Sequence, residues 1–473
     1  MNVALSFLLP LVIGYVLVHH ALGRSGGWHS SLGKLPLALG LGLGLTGACA
    51  FISLALVDHI SVGFECALLI GVLWCFGRRP PPPVLSADSE RWTPASRVLV
   101  VPLGLLLVAS GIAFFIQSGQ LNHGGWDAWD FWNMRARFFA RGGEHWNNTF
   151  SQIPWWTHPE YPVLLPAMVA RGFVWVGREL VGVPRALAWV YTVGSVALLY
   201  FGVSLTRGRT QGLLAATVLA VTPYFLHHGA EQYADNPLGF YFLATLVCLG
   251  LYDRDGRRSL LVLAGAFAGL AAFTKHEGLM FVTCLALARS VVVLRAQGRS
   301  EWRRQASAFL LGASPLLALL TLFKLRYAVM PDNAEFYAAR WQHWDHSFTD
   351  HVLMNLRSGE RYVGFFESWW HNLTHFDEWL LPLVFVLSVY AIVQGVSALR
   401  PRTTLRTLAV TLALHFLGAS AVFLLWSTYD IREHMDATGR LLAQVLPVSL
   451  YGVFLTVNTP FTVASQGEPE AAR

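Results

Sequence analysis

The sequence predicts an all-α polytopic membrane protein with about thirteen transmembrane helices, and three observations predict it. The chain is 54% apolar and only 13% charged over 473 residues, too little charge to cover a soluble protein of this size. Apolar runs fitting roughly 20-residue spans recur from end to end. The loops between them alternate in character, basic on one side and acidic, His-rich and Trp-rich on the other. In lipid every backbone N–H and C=O must be paired internally, which leaves helices or a closed barrel. The runs far exceed the ~10-residue alternating segments of barrel strands, so the spans are helical.

The runs fall near residues 3–22, 35–57, 60–77, 97–117, 183–206, 211–228, 237–252, 259–274, 278–296, 306–328, 379–398, 404–427 and 441–458. Short basic loops separate several of them: Arg78 and Arg79; Arg207 and Arg209; Arg254, Arg257 and Arg258; Arg295, Arg299, Arg303 and Arg304; Arg400, Arg402 and Arg406. The positive-inside rule places this set in the cytoplasm. Both long connections, 118–182 and 329–378, then lie outside. Tyr161 to Val176 is apolar but short, and it contains Pro166 and Arg171. Counting it as a span would export every later basic loop, so it is expected along the outer surface as a juxtamembrane helix.

The proline-rich stretch around 80–96 divides an N-terminal three-helix extension (1–95) from a membrane core (96–330). An outer loop (331–378) and C-terminal helices with a short cytoplasmic tail (379–473) follow. The first run is read as a retained anchor, because it lacks a basic leader and a small-residue cleavage pattern. The tail from Ser465 is polar and expected to be disordered. Much of the net charge of +6 is explained by topology, so nucleic acid is not expected as a partner. The five cysteines sit in apolar runs without CxxC spacing and read as core or lipid-facing.

The residues that could carry chemistry cluster in the outer loops. The first reads GGWDAWDFWNMRARFFARGG. As a helix it would gather Phe131, Met134 and Phe138 into an apolar stripe, with Arg135, Arg137 and Arg141 pointing elsewhere. Asp127 and Asp130 stand at i and i+3 in its first turn, among Trp126, Trp129 and Trp132. That spacing suits either simple capping or a working acid pair, since idle charge at a membrane mouth is costly. Farther on, THPEYPVLLP places His158 and Glu160 before the juxtamembrane helix. They fit helix capping, or general-base work on an acceptor hydroxyl beside Asp127.

Later outer turns add HHGAEQYADNP (His227, His228, Glu231, Tyr233, Asp235), TKHEG (Lys275, His276, Glu277) and YDIREHMDATGRLL (Arg432, Glu433, His434, Asp436, Arg440). Lys275 and Arg440, at outer helix ends, could snorkel to ordinary headgroups or hold a lipid phosphate. In HNLTHFDEW, His371 and His375 with Asp377 and Glu378 have the spacing of a weak metal site, without a supporting signature. The tryptophans Trp341, Trp344, Trp369 and Trp370 suit an interfacial belt or stacking on sugars.

The order of these features resembles the GT-C superfamily of polyprenyl-phosphate-sugar-dependent glycosyltransferases, in particular the protein O-mannosyltransferase and aminoarabinose transferase group. The resemblance covers roughly residues 97–330 and extends loosely to 458, with the first three spans an addition to the GT-C-like core. Asp127 matches the first-loop catalytic aspartate. Where the family has Asp-Glu, this chain has Asp127-Ala128, with the next acid at Asp130, so either aspartate could be the base. Glu160-Tyr161-Pro162 looks like the second acidic motif. Asp235, with Tyr233, resembles the YxDxP turn, Lys275 the lysine on the donor phosphate, and Arg440 the arginine near the last core helices.

The resemblance implies an inverting glycosyltransferase of an inner or plasma membrane, with its active site on the periplasmic or extracellular side. A polyprenyl-phosphate sugar would be the donor, and a glycan, lipid or protein hydroxyl the acceptor. The catalytic set is then Asp127, Asp130 and Glu160, with His158, Asp235, Lys275, Arg440, Tyr233 and Trp126 binding substrate. No cofactor or divalent metal is expected, because the donor brings its own activated leaving group. Two other readings remain: an O-antigen-type ligase or polymerase using Arg340, His343, His346, His351 and Arg357, and a polar-lipid transporter or flippase, which would place ionisable groups within its spans.

Overall fold

A computed structural model describes residues 3–23, 33–77, 81, 94–151, 157–328, 348–375, 382–397, 402–426 and 435–460. Among them regular structure is helical, apart from one antiparallel bridge between Val396 and Val457. After a short turn at Val3–Ser6 the helices are α1 (Leu8–Leu22), α2 (Lys34–Val57), α3 (Val62–Phe76), α4 (Pro94–Gln120), α5 (Asn133–Arg141), α6 (Leu164–Val176), α7 (Gly182–Arg207), α8 (Arg209–Ala220) and α9 (Pro223–Ala230). They continue as α10 (Asp235–Asp255), α11 (Arg258–Thr274), α12 (His276–Arg326), α13 (Phe348–Arg357), α14 (Gly359–His375), α15 (Leu383–Gln394), α16 (Arg402–Ala421) and α17 (Met435–Thr456).

Seven helices among the described residues are long and apolar enough to cross a membrane, or eight if the bent pair α8–α9, with its 62° angle, is one span. This is a multi-pass membrane protein. Thirteen crossings are not shown. Three of the runs form helices shorter than 18 residues (α3, α11 and α15), two runs merge in the 51-residue α12, and α10 carries acids at both ends. Inside α12 the chain breaks at Gly298, whose φ of 86° ends one helix and starts the next.

The core is built around α10, which is buried on nearly every side from Asp235 to Tyr252 and packs on α7, α11 and α17. A helix apolar all round belongs at the centre of a bundle. Two reciprocal glycine pairs bring backbones together. A Cβ on Gly265 of α11 would lie 1.9 Å from the Phe309 carbonyl oxygen, and one on Gly312 equally close to that of Val262. Gly14 and Gly42 join α1 to α2 in the same way, at 1.8 Å from the carbonyls of Ala38 and Pro10. Without a hydrophobic drive between helices in lipid, such close approach supplies the packing energy.

The first helices are woven into this core. Phe51 of α2 meets the rings of Phe139, Trp146, Phe273, Phe323 and Tyr327 at 5.7–6.5 Å, a mostly edge-to-face cluster joining four elements. Glu65 of α3 forms a buried ion pair with Arg171 of α6 at 2.8 Å, and Arg171 also donates to the Ser6 carbonyl at 2.7 Å.

Two expectations are corrected here. The segment 161–176 is not laid open along a surface: α6 is buried in protein along nearly its whole length, Arg171 included. Its 13 residues span about 20 Å, too short to cross the ~30 Å hydrocarbon layer. In the first loop, Arg135 does not point away but is wholly buried, while Phe138 is exposed. The cause is a π-turn at Ala128–Trp132. Its wider pitch shifts the helical phase, so Phe131, Trp132, Ala136 and Phe139 form the buried face.

The cysteines are free, with Cys248 and Cys284 buried and Cys66 and Cys75 exposed on the flank of α3. Residues Arg78, Arg79, Pro80, Pro82, Pro83, Arg340, Trp341, His343, Trp344, His346, Asp377, Glu378, Arg400, Arg432, Glu433, His434 and the tail from Ser465 lie outside the described residues.

Candidate active site

Three helix ends converge on one buried carboxylate. Asp235 stands in the first turn of α10, where the helix dipole favours a negative charge, and it is fully buried. Lys275, the one residue between α11 and α12, places its Nζ 3.1 Å from Asp235 Oδ1 and 3.0 Å from Glu277 Oε1. Arg440, one turn into α17, donates through Nε and Nη2 to Asp235 Oδ2 at 3.1 and 2.9 Å. Gln444, four residues later on the same helix face, donates to Asp235 Oδ1 at 2.6 Å.

Arg440 also carries the chain of contacts outward. Its Nη2 lies 2.5 Å from Asp127 Oδ2, and its guanidinium sits 4.7 Å above the Tyr233 ring. Asp127, Arg440, Asp235 and Lys275 are therefore one continuous network, although they come from four separate parts of the chain. Within the network three carboxylates, Asp127, Asp235 and Glu277, share two cations, Lys275 and Arg440. Burial alone would lower the Lys275 pKa, but the carboxylates of Asp235 and Glu277 raise it. Glu277 Oε2 is buried with no hydrogen-bond partner.

The network opens on a cavity of about 450 Å³. Its polar side is lined by Tyr161, Lys275, His276, Glu277, Arg440 and Gln444, and its apolar side includes Met280, Phe423 and Leu441. A pocket with one apolar wall and a few convergent polar groups is the usual form of a ligand site.

Glu160 and His158 lie behind two residues of the cavity wall, Tyr161 and His276. His158 Nδ1 lies 3.2 Å from Glu160 Oε1, and the His158 ring stacks on Tyr161 at 4.6 Å. His158 has a φ of 51°, a strained geometry for a non-glycine residue. Arg135 holds that bend from beneath, donating to the carbonyls of Thr157 and His158 at 3.0 Å each. The Glu160 carbonyl is bound by Lys324 and by His276. Burial works against the Glu160 charge, yet the hydrogen bond and charge of His158 bring its pKa down to about 2. A carboxylate that acidic is a poor proton acceptor at neutral pH.

The structure brings Asp127, Tyr233, Asp235, Lys275 and Arg440 into one network, with His158 and Glu160 beside it. Trp126 reaches Tyr233 through its backbone, but its side chain does not join the network: it is 63% exposed and packs edge-on to Trp129. Asp130 is buried in the π-turn, and Asp127 is the aspartate that meets Arg440. The sequence named His276 and Glu277 in the TKHEG turn without giving them a role, and it did not place Gln444, Lys324 or Arg135 at the site. The i, i+4 relation to Arg440 was the available signal for Gln444. His371 and His375 stack at 4.8 Å, but no group of three or more His, Cys, Asp or Glu among the described residues could hold a metal ion. His351 is hydrogen-bonded to Asn355 within α13.

Residues 161–324 match the family of dolichyl-phosphate-mannose-protein mannosyltransferases. The resemblance to lipid-phosphate-dependent membrane glycosyltransferases is borne out over that stretch. It contains Tyr233, Asp235, Lys275 and Glu277, whereas Asp127 and Arg440 lie outside it. A Bacillus subtilis (strain 168) protein named "Putative mannosyltransferase YycA" is 32% identical over 152 residues, covering 32% of this chain. The aligned stretch spans only 21% of that relative's length.

Proposed function

We propose that this chain is an inverting glycosyltransferase that moves a sugar from a polyprenyl-phosphate donor to an acceptor hydroxyl. Mannose is the first donor sugar to test, because the matched family and the relative are both named for it. The observation that carries the reading is the continuous Asp127–Arg440–Asp235–Lys275 network, whose two cations line a cavity large enough for a sugar phosphate. All four sit at helix ends opposite the basic loops, which supports a site on the outer side of the membrane. Thirteen crossings fit this orientation if α3, the bent pair α8–α9, α10, α11, α15 and both halves of α12 also span.

The chemistry follows from the charges. The donor phosphate lies near Lys275 and Arg440, whose cations stabilise it as it leaves in a water-poor cleft. Asp235 fixes both cations in place. Glu277 Oε2, buried without a partner, is an acceptor for a sugar hydroxyl. A carboxylate at the Asp127 end draws the proton from the acceptor hydroxyl, which attacks the anomeric carbon and inverts it. Asp127, held by Arg440, is one carboxylate at that end, while Glu160 and His158 orient the acceptor.

The test is Asp127→Asn in the full chain, assayed for movement of label out of polyprenyl-phosphate mannose. Transfer should fall at least a hundredfold with expression unchanged. Unaltered transfer would remove Asp127 from the reaction.

A further inference from the structure

Asp127 is followed by Ala128, so the loop places no second acid directly beside it. The fold supplies another carboxylate from a distant segment. Glu231 closes α9, and its backbone carbonyl accepts a hydrogen bond from the Gly125 N–H at 2.9 Å, tying it to the loop of Asp127. A methyl group on Gly125 would lie 2.9 Å from Glu231 Oε1 and 2.7 Å from the Tyr233 hydroxyl. The glycine thus lets the Glu231 carboxylate and Tyr233 reach the turn that carries Asp127. The side chains of Glu231, Asp127 and Arg440 are similarly open, at 17%, 16% and 17%.

Their electrostatic situations differ. Asp127 is bound by Arg440, and protonating it would break that ion pair. Glu231 has no lysine or arginine within ion-pair distance among the described residues. Its neighbours are His227 at 3.5 Å and His228 at 3.6 Å, and His228 Nδ1 makes no hydrogen bond.

We infer that Glu231 is the group that receives the acceptor hydroxyl's proton, while Asp127, held by Arg440, orients that hydroxyl. The inference rests on the transferase reading above and refines it. The acceptor O–H bond breaks, its proton passes to Glu231, the acceptor oxygen bonds to the anomeric carbon, and the lipid phosphate leaves with the electrons of the broken C–O bond. Burial raises the Glu231 pKa, with Asp127 and Asp235 adding to the rise against His227 and Arg440, which strengthens it as a base. The groups facing it are Tyr224, His227 and His228 of α9, Asp127 and Tyr233 from the loops, Asp235 of α10 and Arg440 of α17.

The experiment uses membranes holding the full chain, supplied with radiolabelled polyprenyl-phosphate mannose, with label leaving the lipid fraction followed across pH. The rate should fall on the acid side as Glu231 protonates, above the ordinary carboxylate range of about 4.3. Glu231→Gln should lower transfer roughly a hundredfold, abolish that acid limb and leave donor binding unchanged. Glu231→Asp, which keeps the charge on a shorter arm, should retain a limb at reduced rate, and it carries the test if the glutamine variant does not accumulate. A glutamine variant with near-normal rate and an unmoved acid limb overturns the inference and leaves the transferase reading standing. Wild-type membranes that move no label overturn both.

Discussion

Replacing Asp235 by asparagine removes the one charge on which Lys275 and Arg440 both depend. The side chain is fully buried and takes four contacts: Lys275 at 3.1 Å, Arg440 at 3.1 and 2.9 Å, and Gln444 at 2.6 Å. Removing one partner of a buried ion pair costs about 3–5 kcal/mol. Lys275 keeps Glu277 at 3.0 Å and Arg440 keeps Asp127, so the lower end applies, about 3 kcal/mol. That is about two decades in the folded-to-unfolded ratio. The assay is unfolding of the detergent-solubilised protein by titration with sodium dodecyl sulfate, followed by tryptophan fluorescence. The double variant Asp235→Asn with Lys275→Met should recover at least about 1 kcal/mol, because the stranded cation is gone. A wild-type midpoint for Asp235→Asn, or a double variant no better than additive, would refute the claim that Asp235 neutralises both cations.

Three further outcomes are expected. Lys275→Met should raise the KM for polyprenyl-phosphate mannose by roughly tenfold to a hundredfold, the scale of a lost charge-assisted hydrogen bond; an unchanged KM would detach Lys275 from the phosphate. Glu160 ionises near pH 2 when folded against about 4.3 unfolded, so its stabilisation is complete above the higher value and is lost as pH falls towards the lower. The stability gap between wild type and Glu160→Gln should therefore stay level at neutral pH and shrink on acidification, and a gap that widens would reverse the sign. Gly265→Ala would put a methyl 1.9 Å from the Phe309 carbonyl oxygen. It should destabilise the chain by about 1–3 kcal/mol or more, read by the same titration; a neutral result would show that α11 and α12 can part freely.

Much of the helical layout was legible because hydropathy is a local property. The apolar runs coincide with helices, and TKHEG does form the one-residue turn between α11 and α12. What failed were readings that needed phase or surroundings. The arginine stripe in the first loop was misplaced because a π-turn changes the helical period, and nothing in a 3.6-residue pattern announces it. Arg171 stood alone in an apolar segment, yet it pairs with Glu65 across 106 residues, and α6 is buried. At the site, motif order brought out Asp127, Asp235, Lys275 and Arg440, but not Glu231 as the carboxylate lying against Gly125.

The sequence alone determined that the chain lives in a membrane, that its spans are helical and that its acids and cations gather in particular loops. Composition and hydropathy suffice for this, since an unpaired backbone cannot persist in lipid. The tertiary structure decided which charges meet. Arg440 finds Asp127 across 313 residues and Asp235 across 205, and it turned Glu160 into a strongly acidic neighbour of His158. Ion pairing falls off within a few ångströms in space and is blind to separation along the chain, so only the packing of α10, α11 and α17 could settle it.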